Sequence, residues 1–405
     1  MLHALRSLRS RDYRLLLSGL GIVLIGIWCQ RIAIIWLVYR ITGSPLLLGV
    51  AAFVSEIPYL FVAPFGGLVA DRVNRRNALM AVQVLCALQA LLLAALAFND
   101  WASYPVLLAI TCVQGVCLAF ETPLRQSMVP DLLEDASDLP SAVALAAFMN
   151  SVGRLLGPLL AGILVARFGE GACFAFSAAG YAVMLAALTQ VRLAPRSSDN
   201  SQHPSVIEGL RDGARYARRH LPLRAVLALT AVVAFCGLPY LVLIPVYTRE
   251  VLGADASTLG YLLSAAGAGG VLGLLLIAPR TSVAGFPNMI AGASLLAGAG
   301  LLLCGAVTSF WPALLAMVMI GAGIVITATS ANIFLQVVAT PDKLGRVLGL
   351  YGMVYFGMAP IGSLMAGMLG DAWGSRPALI SFGTICIACG LYFATTRKRF
   401  QAAPT

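Results

Sequence analysis

Twelve long apolar runs, separated by short polar breaks, constrain the fold of this chain more than any other feature. Each run has roughly 20 residues or more, enough for a helix to cross about 30 Å of hydrocarbon. Backbone polar groups inside a bilayer must be paired within their own segment, so we expect an all-α membrane protein with twelve transmembrane helices. Only 11% of the residues are charged, against about 25% in soluble proteins. The predicted spans are 15–39, 46–69, 77–98, 104–128, 140–166, 171–191, 223–248, 257–278, 286–307, 312–337, 344–370 and 376–395.

The distribution of Lys and Arg predicts the orientation of these spans. With a cytoplasmic N-terminus, 21 of the 27 Lys and Arg residues fall in cytoplasmic segments and four in external ones. Basic loops are retained in the cytoplasm. We therefore expect a multi-pass protein of the bacterial inner membrane with both termini in the cytoplasm. Trp101, Trp311 and Trp373 then fall at external helix ends, where indole rings favour the membrane interface.

The longest polar break, residues 192–222, divides the spans into six and six. Its second part places apolar residues at helical spacing among several arginines. This pattern predicts an amphipathic helix on the cytoplasmic membrane surface, close to anionic lipid headgroups. We expect an N-terminal six-helix lobe at 1–191, the linker at 192–222, and a C-terminal six-helix lobe with a short tail at 223–405.

The two halves of the sequence echo each other. Gly49 and Gly260 open spans 2 and 8 in similar contexts, and Gly162 in span 5 parallels Gly367 in span 11. An internal duplication of this size predicts two pseudo-symmetric lobes with a substrate site between them near the midplane.

The loop after span 2 carries a glycine, an acid and three arginines in a recognisable order. They are Gly67, Asp71, Arg72, Arg75 and Arg76. They resemble the cytoplasmic signature G-x-x-x-D-R-x-G-R-R of the major facilitator superfamily, which implies the major facilitator fold and a cytoplasmic gate here. We expect Asp71 to pair with Arg75 or to face a helix N-terminus. Asn74 stands where Gly is usual and is expected to support the turn, because Asn tolerates a left-handed backbone.

Further segments resemble a narrower group of that superfamily, the enterobactin exporters and macrolide efflux proteins among the drug–proton antiporters. The segments are Gln30-Arg31, Trp36-Leu37-Val38, Thr42-Gly43-Ser44, Thr122–Gln126, Asn150 with Arg154, and Gly345–Leu348. Span 5 also resembles a shortened antiporter motif at Gly153, Gly157, Pro158 and Gly162. Gly and Pro there permit a bend and tight helix packing, and the resemblance implies export. Thr111 stands where the best-known drug–proton antiporters carry Arg, so no coupling role carries over to it.

Four ionisable residues lie within the first five spans: Arg31, Glu56, Glu121 and Arg154. Such groups are costly in a membrane and by default mark a functional site with a charged partner. Matching their depths predicts two ion pairs, Glu56 with Arg31 and Glu121 with Arg154. The pairs either hold the N-terminal lobe together or bind substrate and protons. The central depth of Glu56 suits proton binding or a cationic substrate.

The polar chemistry of the two lobes is unequal. All three His residues fall in cytoplasmic segments, so a proton carrier within the spans has to be a carboxylate. The C-terminal lobe offers Asn332 and Gln336 but no comparable central charge. With Asn150 in the N-terminal lobe, these residues are the polar candidates for a substrate site. Its mostly apolar wall suits a bulky amphipathic solute.

Together these features predict a secondary active transporter, a proton-coupled exporter of an amphipathic siderophore or drug that works by alternating access. An importer, a uniporter or a lysolipid flippase on the same fold stays open, as does a non-transporting membrane sensor. We expect no enzyme, since no metal spacing or nucleophile elbow occurs, and no ATP drive, since no phosphate-binding loop motif occurs.

The expected partners are the small-molecule substrate, protons and membrane lipids, with a monomeric chain and no nucleic acid. No cofactor or metal is expected. Cys386-x-x-Cys389 has no second cysteine pair and no nearby His, so we interpret these residues as small hydrophobes in a helix bundle.

Overall fold

The computed structural model describes residues 2–72, 74–191, 206–278, 280, 285–340 and 343–396. This part of the chain is almost entirely helical, which confirms the predicted all-α class. Twelve helical segments are long and apolar enough to cross a membrane. The α-helices are α1 (Arg11–Thr42), α2 (Pro45–Arg72), α3 (Arg75–Phe98), α4 (Tyr104–Met128), α5 (Leu139–Phe168), α6 (Glu170–Gln190), α7 (Val206–Arg219), α8 (Leu221–Gly237), α9 (Tyr240–Glu250), α10 (Ala256–Ile277), α11 (Phe286–Ala306), α12 (Phe310–Val338), α13 (Leu344–Trp373) and α14 (Ser375–Thr396).

The seventh predicted span is one crossing built from two helices, α8 and α9, with a break between them. Pro239 explains the break, because its ring removes a backbone donor and clashes with the carbonyl four residues earlier. That carbonyl belongs to Phe235. Gly362 of α13 packs against it so closely that a Cβ at Gly362 would collide with the Phe235 oxygen.

The described helices group into two compact units, and these differ slightly from the predicted lobes. Unit 1 comprises the described parts of 1–43, 54–201 and 255–264. Unit 2 comprises those of 44–53, 202–254 and 265–405. The first turns of α2 therefore belong to unit 2, although the sequence division put them in the N-terminal lobe. Those of α10 belong to unit 1, although the sequence division put them in the C-terminal lobe.

Glycine contacts explain the placement of those two segments. A Cβ at Gly49 would lie 2.8 Å from the Cα of Gly367, within unit 2. A Cβ at Gly260 would lie 2.9 Å from the Cα of Gly162, within unit 1. Only Gly permits backbones to approach so closely. The four glycines that echo each other in sequence therefore form two equivalent helix crossings.

The core of unit 1 lies where α1 packs against α5 and α6, and where α3 packs against α6. Leu16, Leu79 and Met184 are almost completely buried there. The hydroxyl of Tyr13 donates a hydrogen bond of 2.7 Å to the carbonyl of Ala142, which ties α1 to the start of α5. Unit 1 thus holds α1 and α5 in register, and this register positions the polar residues described below.

Unit 2 packs α11 against α12 and α14, and it includes the linker helix α7. Helix α7 lies against α8 and the start of α13. Asp212 accepts hydrogen bonds there from Arg346 and, at 3.3 Å, from Lys343. The predicted amphipathic helix is therefore present from Val206 onward and is anchored through Asp212. Residues 192–205 of the predicted linker and 397–405 of the predicted tail lie outside the described residues.

Candidate functional site

The predicted ion pair between α1 and α2 is present in unit 1. A terminal nitrogen of Arg31 donates to Oε1 of Glu56. The two side chains keep 37% and 25% of their surface exposed. The pair is therefore reachable rather than sealed in the helix packing, and it neutralises the charge of Glu56 in an apolar segment.

The second predicted pair, Glu121 with Arg154, is wrong. Oε1 of Glu121 instead accepts a 2.8 Å bond from Nε of Arg125, one turn further along α4. Both side chains are about nine-tenths buried, and Thr122 also donates to the carboxylate, at 3.3 Å. Residues four apart share a helix face, so Glu121 is satisfied locally and needs no partner on another helix.

Arg154 of α5 lies beside an aromatic ring instead of a carboxylate. Its guanidinium carbon is 5.2 Å from the ring centroid of Trp28, and that of Arg31 is 5.6 Å from the same centroid. Both distances fall within the range of cation–π attraction. Nε of Arg154 is buried and has no hydrogen-bond partner in the described part of the chain. Arg31, Glu56, Trp28 and Arg154 form one group, which we call the arginine–tryptophan cluster.

The antiporter-like motif of α5 explains how this cluster is assembled. Gly153, Gly157, Pro158 and Gly162 are all buried. Gly153 packs on Leu24 of α1, and a Cβ at Gly157 would collide with the Cβ of Trp28. The motif therefore lets α5 approach α1 closely, and this approach brings Arg154 over the Trp28 ring.

Trp28 was not predicted from the sequence as a site residue, although its position carried a signal. It precedes Arg31 by three residues on α1, a spacing that places two side chains on one helix face. Gln30 and Gln89 form a further unpredicted contact, a 3.0 Å hydrogen bond between two buried amides of α1 and α3.

The three amide candidates are arranged differently. Asn150 lies one turn before Arg154 on α5 and is exposed. In unit 2, Gln336 donates a 2.6 Å hydrogen bond to Asn332, one turn earlier on α12. Asn332 and Gln336 therefore form a polar pair on one face of that helix.

Part of the gate-like motif can be placed. The side-chain positions of Asp71 and Arg72 and the surroundings of Gly67 are outside the part that the structure describes, so the predicted pairing of Asp71 stays a prediction. Arg75 donates to the carbonyl of Ser127 at 3.0 Å and to Asp131 at 3.1 Å. Arg76 donates to the carbonyls of Leu188 and Thr189, each at 2.7 Å. The two arginines thus fasten the start of α3 to the ends of α4 and α6.

Asn74 corrects the expectation of a left-handed turn. Its backbone is extended, with φ of −64° and ψ of 105°, and its side chain accepts a 3.1 Å bond from the Asn77 amide. This is the geometry of a helix N-cap, a role for which Asn is among the best residues. Asn therefore replaces the usual Gly by capping α3.

The described helices offer neither a metal site nor a disulfide. These helices contain no group of three or more His, Cys, Asp or Glu residues that could hold a metal ion. Cys386 is buried in α14, and both it and Cys389 are free thiols. The arginine–tryptophan cluster itself consists of two guanidinium groups, one carboxylate and an indole.

Curated relatives match nearly the whole chain. It is 25% identical to a staphyloferrin A transporter of Staphylococcus aureus, over 95% of this chain and 96% of that protein. It is 27% identical to the multidrug efflux pump Tap of Mycolicibacterium fortuitum, over 89% of each chain. It is 22% identical to macrolide efflux protein A of Streptococcus pyogenes, over 92% of this chain and 93% of that protein.

Solved structures share the fold. The nucleoside transporter NupG superposes with a TM-score of 0.79 at 13% identity, over 95% of this chain and 98% of that chain. A bacterial homologue of the human lysosomal transporter Spinster superposes with a TM-score of 0.76 at 17% identity, over 98% of this chain and 99% of that chain. The family described as transmembrane secretion effector matches residues 3–403. The chain therefore belongs to this family of the major facilitator superfamily.

Proposed function

We propose that this protein is a proton-coupled exporter of an amphipathic small molecule in the bacterial inner membrane, and that Glu56 is its proton-binding residue. The ion pair between Arg31 and Glu56 carries the proposal. Glu56 is a carboxylate within a candidate span that is both partly exposed and directly paired with a cation. The other acid deep in the spans, Glu121, is buried against Arg125.

The coupling follows from the charge balance of the pair. A proton on Glu56 removes the negative charge that Arg31 neutralises, so Arg31 becomes an uncompensated cation in an apolar setting. A conformation that separates the two side chains then becomes less costly. A proton shifts a conformational equilibrium only if it binds the two conformations with different affinity. Glu56 binds a proton less readily while it is paired with Arg31 than after the two side chains separate, so the pair supplies this difference.

The remaining features of the proposal come from the sequence and the relatives. Alternating access would move the lobes 1–191 and 223–405, with the motif from Gly67 to Arg76 as the cytoplasmic gate. Both termini lie in the cytoplasm, as the basic loops predict. Relatives named as a staphyloferrin A transporter, a macrolide efflux protein and a multidrug efflux pump favour a siderophore or a drug as the substrate. The chain works as a monomer in contact with membrane lipids.

Transport in proteoliposomes tests the proposal. Purified protein is reconstituted, and the uptake of radiolabelled erythromycin and of staphyloferrin A is measured under a pH gradient of either sign and under none. We expect a gradient of one sign to drive accumulation of at least one compound. The Glu56→Gln variant should lose the gradient-driven part, because it cannot exchange a proton.

A matched control separates coupling from folding. Arg40 and Glu170 form a similar ion pair between α1 and α6, at 2.9 Å, away from the cluster. The Glu170→Gln variant should keep gradient-driven transport. Accumulation that is equal with and without a gradient, or that Glu56→Gln leaves unchanged, would contradict the proposal. The sign of the effective gradient distinguishes an exporter from an importer.

A further inference from the structure

The arginine–tryptophan cluster carries a net positive charge. Arg31 and Arg154 each contribute one positive charge, and Glu56 contributes the one negative charge. The other deep acid of unit 1, Glu121, is held by Arg125 on its own helix. A guanidinium in an apolar segment is costly unless a counter-charge lies nearby. Among the described residues, both of these carboxylates form their ion pairs with other arginines, and Arg154 forms none.

The geometry of Arg154 is that of a guanidinium ready to bind an anion. Its guanidinium lies against the Trp28 ring, and its Nε has no hydrogen-bond partner among the described residues. The side chain is partly exposed, whereas its Nε is buried. Its terminal nitrogens therefore provide the accessible donors. A guanidinium presents such donors as a planar fork that matches the two oxygens of a carboxylate.

A cationic substrate fits this cluster poorly. The Glu56 carboxylate is already paired with Arg31. The Trp28 ring, the other group that would attract a cation, already contacts two guanidinium groups. A positively charged solute would meet Arg154 without a free acid to offset the repulsion.

We propose that Arg154 binds an anionic group of the transported solute, a carboxylate in particular. Asn150 lies four residues earlier on the same face of α5 and is exposed, so its amide adds a donor beside Arg154. The substrate is then an amphipathic acid whose carboxylate pairs with Arg154. This inference names the substrate class of the proposed transporter and rests on that function, but it concerns binding alone.

Direct binding of a matched set of probes tests the inference. The probes are 11-(dansylamino)undecanoic acid, its methyl ester and the cationic 11-(dansylamino)undecylamine, bound to purified protein in detergent at pH 7.5 and followed by dansyl fluorescence. Displacement by excess dodecanoic acid separates specific binding from partition into micelles. We expect the acid to bind at least tenfold more tightly than the ester or the cation.

Variants test whether Arg154 causes the preference for the acid over the ester. Arg154→Gln should bring the acid to the affinity of the ester, and Arg154→Lys should retain part of the preference because it keeps the charge. Arg40→Gln, which removes an arginine paired elsewhere, should leave all three affinities unchanged. Equal binding of acid and ester by the unmodified protein would overturn the inference without any variant. A preference that persists in folded Arg154→Gln would overturn it as well.

The outcomes separate this inference from the proposed function. Acid-selective binding with no gradient-driven transport would sustain the anion site and remove the proton-coupled exporter. Gradient-driven transport with no acid preference would support the proton-coupled transporter and remove the anion site.

Discussion

Replacing Gly157 by Ala tests how α5 and α1 assemble the cluster. The added Cβ would collide with the Cβ of Trp28 and lie 3.0 Å from the Ile25 oxygen. Carbon contacts are favourable only near 3.5–4.0 Å, so the two helices must separate by about 1 Å. Overpacking of this kind costs about 1–3 kcal/mol. Separation of the helices also weakens the contact of Arg154 with Trp28, worth about 0.5–2 kcal/mol.

A second glycine provides the matched control. A Cβ at Gly292, exposed on α11, would have no other group within 4 Å. Both substitutions carry the same intrinsic helix gain of about 0.5–1 kcal/mol, so this gain cancels when the two variants are compared. Gly157→Ala should therefore be about 1–3 kcal/mol less stable than Gly292→Ala.

Equilibrium unfolding in mixed micelles of dodecyl maltoside and sodium dodecyl sulfate measures this difference. Fluorescence of a chain that retains Trp28 as its single tryptophan reports on the local contact at the same time. Equal unfolding free energies for the two variants would contradict a close contact of α5 with α1 at Gly157.

Three further predictions concern the anchoring of helix ends. Asp212→Asn removes the ion pairs of α7 with Arg346 and Lys343 and should weaken the attachment of α7 by up to about 1 kcal/mol for each partly exposed pair. Trypsin should then cut α7 faster, and an unchanged cleavage rate would show that Asp212 does not anchor the helix. Hydrogen bonds, that from the Ser257 hydroxyl foremost, hold the pKa of Asp255 below its usual value. The stability that ionised Asp255 adds is therefore complete above about pH 4 and is lost as the pH falls below about 4. Asp255→Asn should reduce the drop of the melting temperature at acid pH, and an unchanged drop would show that Asp255 does not contribute. Arg76→Gln removes two hydrogen bonds to the end of α6 and should lower the unfolding free energy by about 1–2 kcal/mol, measured as above; no loss would mean that the bonds contribute nothing.

The sequence predicted most of what depends on local composition. The spans follow from run lengths, because a bilayer demands long helices whatever their partners. The break at Pro239 was missed, although proline is visible in the sequence. Run length alone does not distinguish a continuous helix from one interrupted inside an apolar segment.

The candidate site was predicted only in part. The pair of Arg31 with Glu56 could be anticipated from depth, since the two charges had few alternatives. Depth matching failed for Glu121, because a closer partner, Arg125, lies one turn away near the cytoplasmic end of the same span. The contact of Arg154 with Trp28 joins residues far apart in sequence and depends on the packing of α5 on α1, which span assignment does not provide.

Proton movement in sealed proteoliposomes shows directly whether solute transport is coupled to protons through Glu56. Vesicles loaded with the pH-sensitive dye pyranine are given whichever of erythromycin and staphyloferrin A is transported, with no initial pH gradient. We expect the solute's movement to change the internal pH, and we expect Glu56→Gln to abolish this change while Glu170→Gln preserves it. Solute movement with no pH change, or an equal pH change in Glu56→Gln, would contradict proton coupling through Glu56.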